Sequence, residues 1–278
     1  MCSNQEKNDH LRNSGYTISS NTTESVCDCS GTLCSVNDDF ILWYENNSVY
    51  RYIFIQDNIT KIFSTNQTMA SLHGAGKYIV WSEYIKDLPE DYWSELFGNQ
   101  SEQNIWLSYG SVQNIWIYNL ETRVQTRAIE NVMQLGSSDN FLSFDVSSNN
   151  IVYIHNLSIY IYDILTRNIS KVGDHSRNTT IVENQRYGGF GTVGFLTSVR
   201  MKDNLIIYTE YTHIYMQYDG AEPRCLNINN HKNTIVEMSP DSGNQRTYDI
   251  YRNSIIGWNT VYKFSGGHIQ QLKLFIFN

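Results

Sequence analysis

The sequence predicts an all-β fold, on the evidence of a repeated segment, its spacing and the absence of helical periodicity. A short β-branched and aromatic segment, introduced by turn residues, recurs five times along the 278-residue chain. Its anchoring isoleucines are 38, 72, 55 and 49 residues apart. Discounting an insertion of about 29 residues in the second unit leaves a period of roughly 43 residues. This period is typical of propeller blades, so we predict a five-bladed β-propeller of four-stranded antiparallel blades.

The five anchor segments are continuous β-branched and aromatic runs, as expected of buried strands, and the two-residue alternation of strands is found in the second strands that follow them. They are Asp39–Glu45, Lys77–Glu83, Asn150–His155, Asn204–Glu210 and Asn253–Asn259. A second strand is expected after each anchor, where Ile115–Arg123 and Ile159–Arg167 match almost position for position. Looser copies of this second strand are Val49–Tyr52, Ile214–Gln217 and Val261–Phe264.

A third strand and an innermost strand complete each predicted blade. The third strands are Asn58–Ile62, Asn168–Val172, Arg224–Leu226 and Ile269–Leu272. Candidate innermost strands precede the anchors, as in Leu142–Val146 and Ser198–Met201, and end in tight turns. We therefore expect a polar N-terminal arm over residues 1–30 and a propeller over residues 31–278, with an insertion at 84–112 in the second blade. Either the strand near Tyr16–Ile18 or the tail Leu274–Phe277 could complete the last sheet.

The repeat resembles that of TolB-type β-propellers. The resemblance is carried by a turn, an Ile-Val-Trp strand that ends in an acid, and the segment Ile-Trp-Ile-Tyr-Asn-Leu-Glu-Thr. It covers roughly residues 33–272 and is greatest for the version found in secreted and surface proteins of archaea and bacteria. The resemblance implies a propeller fold and a place outside the cytoplasm. It does not imply one function, because propellers host binding, scaffolding and hydrolysis.

Charge and chain-end features narrow the classes of function. The chain has 20 Lys and Arg against 28 Asp and Glu, a net charge of −8, which argues against nucleic-acid binding. No apolar run approaches the roughly 18 residues of a membrane helix. The N-terminus lacks the apolar region of an intact signal peptide. Cys2, followed by small polar residues, resembles the lipid-carrying cysteine of a mature bacterial lipoprotein.

The other cysteines form a cluster and one distant residue, namely Cys27, Cys29, Cys34 and Cys225. Three interpretations stay open for them: disulfides, which suit an exported protein; free thiols; and a zinc site, for which a nearby fourth ligand is missing. Eight N-glycosylation sequons begin at Asn21, Asn46, Asn58, Asn66, Asn99, Asn156, Asn168 and Asn178. About five would arise by chance in a chain of this composition.

The insertion carries the aromatic residues that we predict to bind a ligand. Aromatic rings near carboxylates suit a protein- or sugar-binding surface, and long loops in compact domains are usually functional. The alternative is that the rings cover a blade edge or form a local core. Residues 186–195 are glycine-rich but lack the spacing of a phosphate loop, and they are expected to form a loop toward the channel. The predicted binding residues are Tyr92, Trp93, Trp106, Tyr109 and Phe190.

Acids and polar residues recur at corresponding places of the repeat. Glu45, Glu83, His155, Glu210 and Asn259 follow the anchor strands, and we interpret each as an acceptor of hydrogen bonds from the turn of its own blade. The alternative is a ring of acids around one face that holds a cation. An enzyme would need one asymmetric site. Paired carboxylates about 5 to 9 Å apart at the channel mouth would suffice for a glycoside hydrolase. The candidate residues for that chemistry are Asp145, Asp249 and Asp38.

The sequence thus favours a non-enzymatic binding module of the cell surface or exterior, which recognises a protein or glycan through loops on one face. The alternatives are a carbohydrate-active hydrolase and a purely structural surface protein. No motif for a cofactor, a metal or a nucleophilic elbow is found, and the seven histidines are scattered. We expect no cofactor and no nucleic-acid partner.

Overall fold

The computed structural model describes residues 11–17, 22–29, 33–37, 39–89, 110–135, 143–174, 181–184, 188–214, 218–229, 232–235, 245–251, 254–262 and 268–276. These residues contain 22 strands and no helix, and so no helix long and apolar enough to cross a membrane. The strands are β1 (Leu11–Thr17), β2 (Thr22–Cys29), β3 (Leu33–Val36), β4 (Phe40–Glu45), β5 (Ser48–Ile53), β6 (Asn58–Ser64), β7 (Met69–Ala75), β8 (Tyr78–Asp87), β9 (Gly110–Asn119), β10 (Gln125–Leu135), β11 (Phe144–Ser147), β12 (Asn150–His155), β13 (Ser158–Asp163), β14 (Ile169–Asp174), β15 (Ile181–Asn184), β16 (Gly188–Lys202), β17 (Leu205–Ile214), β18 (Tyr218–Asn227), β19 (Lys232–Ile235), β20 (Gln245–Tyr251), β21 (Ser254–Tyr262) and β22 (His268–Ile276).

Strands that are neighbours in the chain pair antiparallel and form a series of sheets. We name the sheets by chain order: sheet I is β3–β6, sheet II is β7–β10, sheet III is β11–β14, sheet IV is β15–β19 and sheet V is β20–β22. A separate ribbon consists of β1 and β2. The predicted all-β fold of four-stranded antiparallel units is confirmed, although sheet IV has a fifth strand and sheet V has three strands in the described ranges.

Consecutive sheets pack face to face, because alternate side chains of a strand point to opposite sides. Ile79 and Trp81 of β8 pack toward sheet I, whereas Val80 between them packs toward sheet III. A further apolar cluster joins sheets III and IV. The outer side of sheet I is buried as well, at Ile41 and Trp43. Each of these sheets therefore contributes both faces to the core, as blades of a ring do and as sheets with one solvated face do not.

The innermost strands lie beside one another in the order β3, β7, β11, β16 and β20. Side chains, instead of a continuous backbone ladder, join β11 to β16. Ser143 Oγ accepts the backbone N–H of Val199 at 2.8 Å, and Ser147 Oγ accepts that of Asp203 at 3.1 Å. Sheets III and IV are thus linked at their innermost strands by polar side chains from alternate positions.

Because each sheet runs outward from its innermost strand as a meander, its turns alternate between two ends of the molecule. We call one end the turn face; it carries the turns 76–77, 120–124, 148–149 and 164–168. We call the opposite end the insertion face; it carries the turns 46–47 and 156–157 and the connection from β8 to β9.

Two predicted second strands are wrong. Ile214 and Val261 lie in the last residues of β17 and β21, which are simply longer than the anchor segments. The strand paired with β17 is β18, which contains Arg224–Leu226, and the strand paired with β21 is β22, which contains Ile269–Leu272. The β-forming sequence continues past the anchors without an early turn signal, so the register of these two blades was shifted. The tail residues Leu274–Ile276 belong to β22, and Tyr16 pairs within the N-terminal ribbon.

Candidate functional site: the insertion face and the axial layer

Sheet II extends farther at the insertion face than its two neighbours do. The anchor strands of sheets I and III have six residues each, whereas β8 has ten. Strands β8 and β9 stay paired as far as Asp87 and Ser111, and the Leu88 N–H donates to Gly110 O at 2.9 Å. Residues 84–87 and 110–112 of the predicted insertion therefore lie in paired strands. The connection at 90–109 leaves from the end of this extended sheet.

The glycine at the start of β9 is required by close packing. A Cβ atom on Gly110 would lie 2.6 Å from Leu88 Cδ1 and 2.8 Å from the backbone oxygen of Gln134. The second of these contacts is with main chain, which cannot rotate away as a side chain can. Leu88 is itself buried. The base of the insertion is thus held tightly on three strands.

A buried polar layer supports this end of sheet II on the side that packs against sheet III. Ser82, Ser111, Gln113 and Gln134 are each at most 1% exposed. Gln113 Nε2 donates to Ser111 Oγ at 2.7 Å, and the Ser143 N–H donates to Gln134 Oε1 at 3.2 Å. Buried side-chain hydrogen bonds fix the orientation of Gln113 and Gln134, whereas the Ser82 hydroxyl has no hydrogen-bond partner among the described residues.

Glu83 holds the opposite side of the same sheet. Its Oε2 accepts Trp116 Nε1–H at 2.7 Å and Asn114 Nδ2–H at 3.2 Å, and Asn114 Oδ1 accepts the Asn131 N–H at 3.1 Å. Glu83 is thus an acceptor within its own blade, but the predicted donors are wrong, because they lie on β9 and not in a turn. For His155, at the corresponding place, the prediction is wrong: its Nδ1 accepts the Met133 N–H of sheet II at 3.1 Å, so it links two sheets.

The predicted binding residues fall in two groups. Phe190 lies in β16, where its backbone pairs with Val182 of β15 in a hairpin at the insertion face. The predicted loop over residues 186–195 is therefore wrong from Gly188 on, where the chain is a paired strand. The base of the insertion, at Asp87 and Ser111, and this hairpin therefore lie at the same end of the molecule. The other four predicted residues lie outside the described residues; they are Tyr92, Trp93, Trp106 and Tyr109.

An asymmetric polar layer crosses the innermost strands near the turn face. In each sheet, one innermost position pairs with the residue that follows the anchoring isoleucine. These register-equivalent positions hold Ser35, His73, Asp145, Arg200 and Asp249. Two of the three predicted catalytic acids thus occupy equivalent positions, while Asp38 lies outside the described residues. We call the five positions the axial layer.

Asp145 joins three blades. Its Oδ1 accepts the N–H of Val146 at 2.9 Å, and its Oδ2 accepts the N–H of Met201 in sheet IV at 2.9 Å. His73 Nδ1 of sheet II lies 3.5 Å from Asp145 Oδ1. A carboxylate that accepts backbone amides on both oxygens serves as a structural link, and this use competes with a role as proton donor.

His73 is neutral at neutral pH. The pKa of His73 is lowered to about 3, mainly by burial and to a lesser degree by the positive charge of Arg200. Its side chain is 20% exposed and packs edge-on against Phe144, with ring centroids 4.7 Å apart. The contact with Asp145 is therefore between a neutral imidazole and a carboxylate, and the ring adds polar packing between sheets without adding a charge.

The sequence interpretation missed His73 and Arg200. Alignment of the innermost strands by their turns would have found both, because each lies two residues before the end of its strand. The buried polar layer of sheet II was also missed. Its signal is the polar alternation Ser111, Gln113 at positions where a buried strand would otherwise be apolar.

Four of the five cysteines lie in described strands. Cys27 and Cys29 lie two apart on β2, Cys34 on β3 and Cys225 on β18, and Cys2 is outside the described residues. Their disulfide pairing stays a prediction. In the described ranges, no three His, Cys, Asp or Glu side chains converge as metal ligands would.

Comparisons with known proteins bear on the fold. No protein-family model matches the chain, and no curated protein sequence matches it. An oligogalacturonate lyase from Vibrio parahaemolyticus is similar over 92% of this chain and 70% of its own, with 10% identity and a TM-score of 0.50. TolB from Acinetobacter baumannii (90% and 56%, 10% identity, TM-score 0.47) and the N-terminal domain of Nup159 (92% and 62%, 9% identity, TM-score 0.43) are also similar. The sheet order, the inner strands around one axis and the Vibrio structure agree: the chain has a β-propeller fold.

Proposed function

We propose that this chain is a five-bladed propeller that acts as a binding module and recognises a protein or a glycan through its insertion face. The observation that carries the proposal is the extension of sheet II at the insertion face, where β8 has ten residues against six in the anchor strands of sheets I and III. Loops held by a rigid scaffold are the usual place for recognition. Tyr92, Trp93, Trp106 and Tyr109 supply the rings, and Phe190 adds one from the β15–β16 hairpin.

The construction of the scaffold supports this proposal. The buried polar layer and the Glu83 bridge fix three strands below the insertion, and Gly110 closes the packing at its base. A recognition surface held by such a base loses less conformational entropy on binding. The turn face offers no comparable extension in sheets I–III.

A site-specific photocrosslinker tests which face meets the partner. We would place it at Trp93 in one variant and at Leu165, 64% exposed on the turn face, in the other. The crosslinks are made in the cells that naturally produce the protein and resolved by mass spectrometry. The proposal predicts a defined adduct from position 93 and none from position 165. An adduct from position 165 alone would contradict it.

A carbohydrate-active hydrolase is the second candidate, and the axial layer is the observation that favours it. Asp145 and Asp249 occupy equivalent axial positions beside a histidine and an arginine. The two hydrogen bonds that the Asp145 carboxylate accepts from backbone N–H groups argue against Asp145 as a proton donor. A panel of glycosides separates the two functions: a hydrolase shows turnover that Asp145→Asn or Asp249→Asn abolishes in a folded protein. The binding module shows no turnover, and Asp145→Asn lowers its stability.

The proposal includes the domain organisation and location. Residues 1–30 form a polar arm, residues 31–278 form the propeller, and the protein is of the TolB type and acts at the cell surface or exterior. A lipid on Cys2 would anchor it, and disulfides among the other four cysteines would suit that location. Mass spectrometry of the native protein tests both features. An unmodified N-terminal segment and free thiols at Cys27, Cys29, Cys34 and Cys225 would contradict them.

A further inference from the structure

The sequon asparagines in the described part of the chain share one property. All five are exposed, and they are Asn46, Asn58, Asn66, Asn156 and Asn168. Asparagines outside sequons are not uniformly exposed: Asn114 is buried, and Asn37 and Asn119 are half-buried. Asparagines that stabilise turns are also often exposed, so exposure alone does not identify a modification site. The φ angle and the side-chain hydrogen bonds of each asparagine show whether it has a role in the fold.

Two of the five are explained by the backbone. Asn46 and Asn156 have φ angles of 49° and 46°, in the left-handed region where asparagine is favoured. They occupy corresponding turns between the second and third strands of sheets I and III. The hydroxyl residues of their sequons, Ser48 and Ser158, are only 3% and 5% exposed. In the folded protein, the serine of each of these two sequons is therefore inaccessible to an enzyme.

The fold does not explain the other three. Asn58, Asn66 and Asn168 are absent from the residues with positive φ, and their side chains make no hydrogen bond within the described ranges. Asparagines that serve turns behave differently, since Asn37 Oδ1 and Asn119 Oδ1 each accept two backbone N–H groups. The amide groups of these three sequons are thus available to an enzyme.

The three sites differ in how exposed the serine or threonine of the sequon is. Thr68, which completes the sequon of Asn66, is exposed and lies in the strand-free segment between β6 and β7. Ser170, which completes that of Asn168, is exposed as well. Thr60, which completes that of Asn58, is half-buried in β6. Access to both sequon residues is therefore best at Asn66 and Asn168.

We propose that Asn66 and Asn168 are N-glycosylation sites of the folded protein, that Asn58 is a weaker one, and that Asn46 and Asn156 accept a glycan only before the chain folds. The donor is an oligosaccharide linked to a lipid pyrophosphate. Asparagine Nδ2 forms a bond to the anomeric carbon, the carbon–oxygen bond to the pyrophosphate breaks, and the Nδ2 proton passes to a base of the transferring enzyme. In the cell, this modification rests on the exterior location proposed above.

Glycosylation of the purified protein tests the ranking without a ligand. The folded full-length chain is incubated with an oligosaccharyltransferase and a lipid pyrophosphate-linked oligosaccharide, and occupancy is measured at each site by mass spectrometry. Asn66 and Asn168 should exceed Asn46 and Asn156 on the order of tenfold, since the latter require local opening that exposes the serine. After unfolding in urea and dilution, the ratio should approach one.

Matched variants keep the test sharp. Thr68→Ala and Ser170→Ala should abolish occupancy at Asn66 and Asn168, respectively, while Thr68→Ser should retain it. Asn131, exposed with a φ of 55° but outside any sequon, should stay unmodified. Equal occupancy of all five sites on the folded chain, or none at Asn66 and Asn168, would overturn the proposal. Because the assay contains no binding partner, its failure is distinct from failure of the crosslinking experiment.

Discussion

The turn face and the insertion face are built from the same meander but differ in how strictly they repeat. At the turn face, sheets II and III make the same turn: Asn119 Oδ1 accepts two backbone N–H groups at 2.8 and 3.2 Å, and Asp163 Oδ1 accepts two at 2.8 and 2.9 Å. Arg123 and Arg167 follow with φ angles of 58° and 60°. At the insertion face, the same two sheets differ in strand length and connection. The repeated turn is thus a folding device of both sheets, whereas the insertion face is where the two sheets depart from the repeat.

The largest effect is expected at the base of the insertion. Gly110→Ala would place a Cβ atom 2.6 Å from Leu88 Cδ1 and 2.8 Å from Gln134 O. Forcing this contact should cost about 1–3 kcal/mol in the free energy of unfolding, because backbone must move. Urea unfolding of the two proteins measures it. The matched control is Gly76→Asn on the turn face. There φ is 53°, and a Cβ atom would meet no other residue within 4 Å apart from its chain neighbours. A change at Gly76 as large as that at Gly110 would contradict this account.

An effect that is negligible at neutral pH and grows as the pH falls is expected in the axial layer. Because the pKa of His73 is lowered to about 3, the unfolded chain binds a proton between pH 6.5 and 3 that the folded chain does not. His73 therefore makes stability fall as the pH drops through this window, by up to about 1.4 kcal/mol per pH unit, and has no effect above it. The difference between wild type and His73→Gln in urea unfolding, measured from pH 7 to 4, isolates this contribution. A difference that is constant with pH would show that His73 titrates normally.

The smallest effect is expected where the repeat has already made the substitution. Asn119 does in sheet II what Asp163 does in sheet III, so Asp163→Asn should change the free energy of unfolding by less than about 0.5 kcal/mol. Asp163→Ala removes the acceptor of two N–H groups and should cost about 1 kcal/mol. Thermal unfolding of the three proteins orders them. If the asparagine variant were as unstable as the alanine variant, the two turns would not be equivalent.

The strands could be predicted from the sequence where turn residues mark both of their ends. The anchors around Ile79 and Ile151 are continuous apolar runs bounded by turn residues, so their strands are predicted well. Strands β17 and β21 run on without a turn signal at Ile214 or Val261, and so the blade register was wrong there.

The candidate site was less accessible to sequence reasoning. Aromatic density and the broken repeat indicated the insertion, but its base depends on the approach of Gly110 to a backbone oxygen on another strand. Asp145 was found as an acid on an innermost strand. Its partner His73 is 72 residues away, and Met201 is 56 residues away on the other side. Only the ring brings these three together, so no local pattern contains the contact.

Excision of the insertion tests the central claim most directly. Residues 88–110 are replaced by Asn-Gly, so that Asp87 and Ser111, which are paired in the sheet, are joined by a two-residue hairpin turn like those of sheets I and III. The account predicts that the variant still unfolds cooperatively within a few degrees of wild type but no longer binds the partner identified by crosslinking at position 93. Full binding by this folded variant would contradict the account, because recognition would then lie elsewhere on the ring.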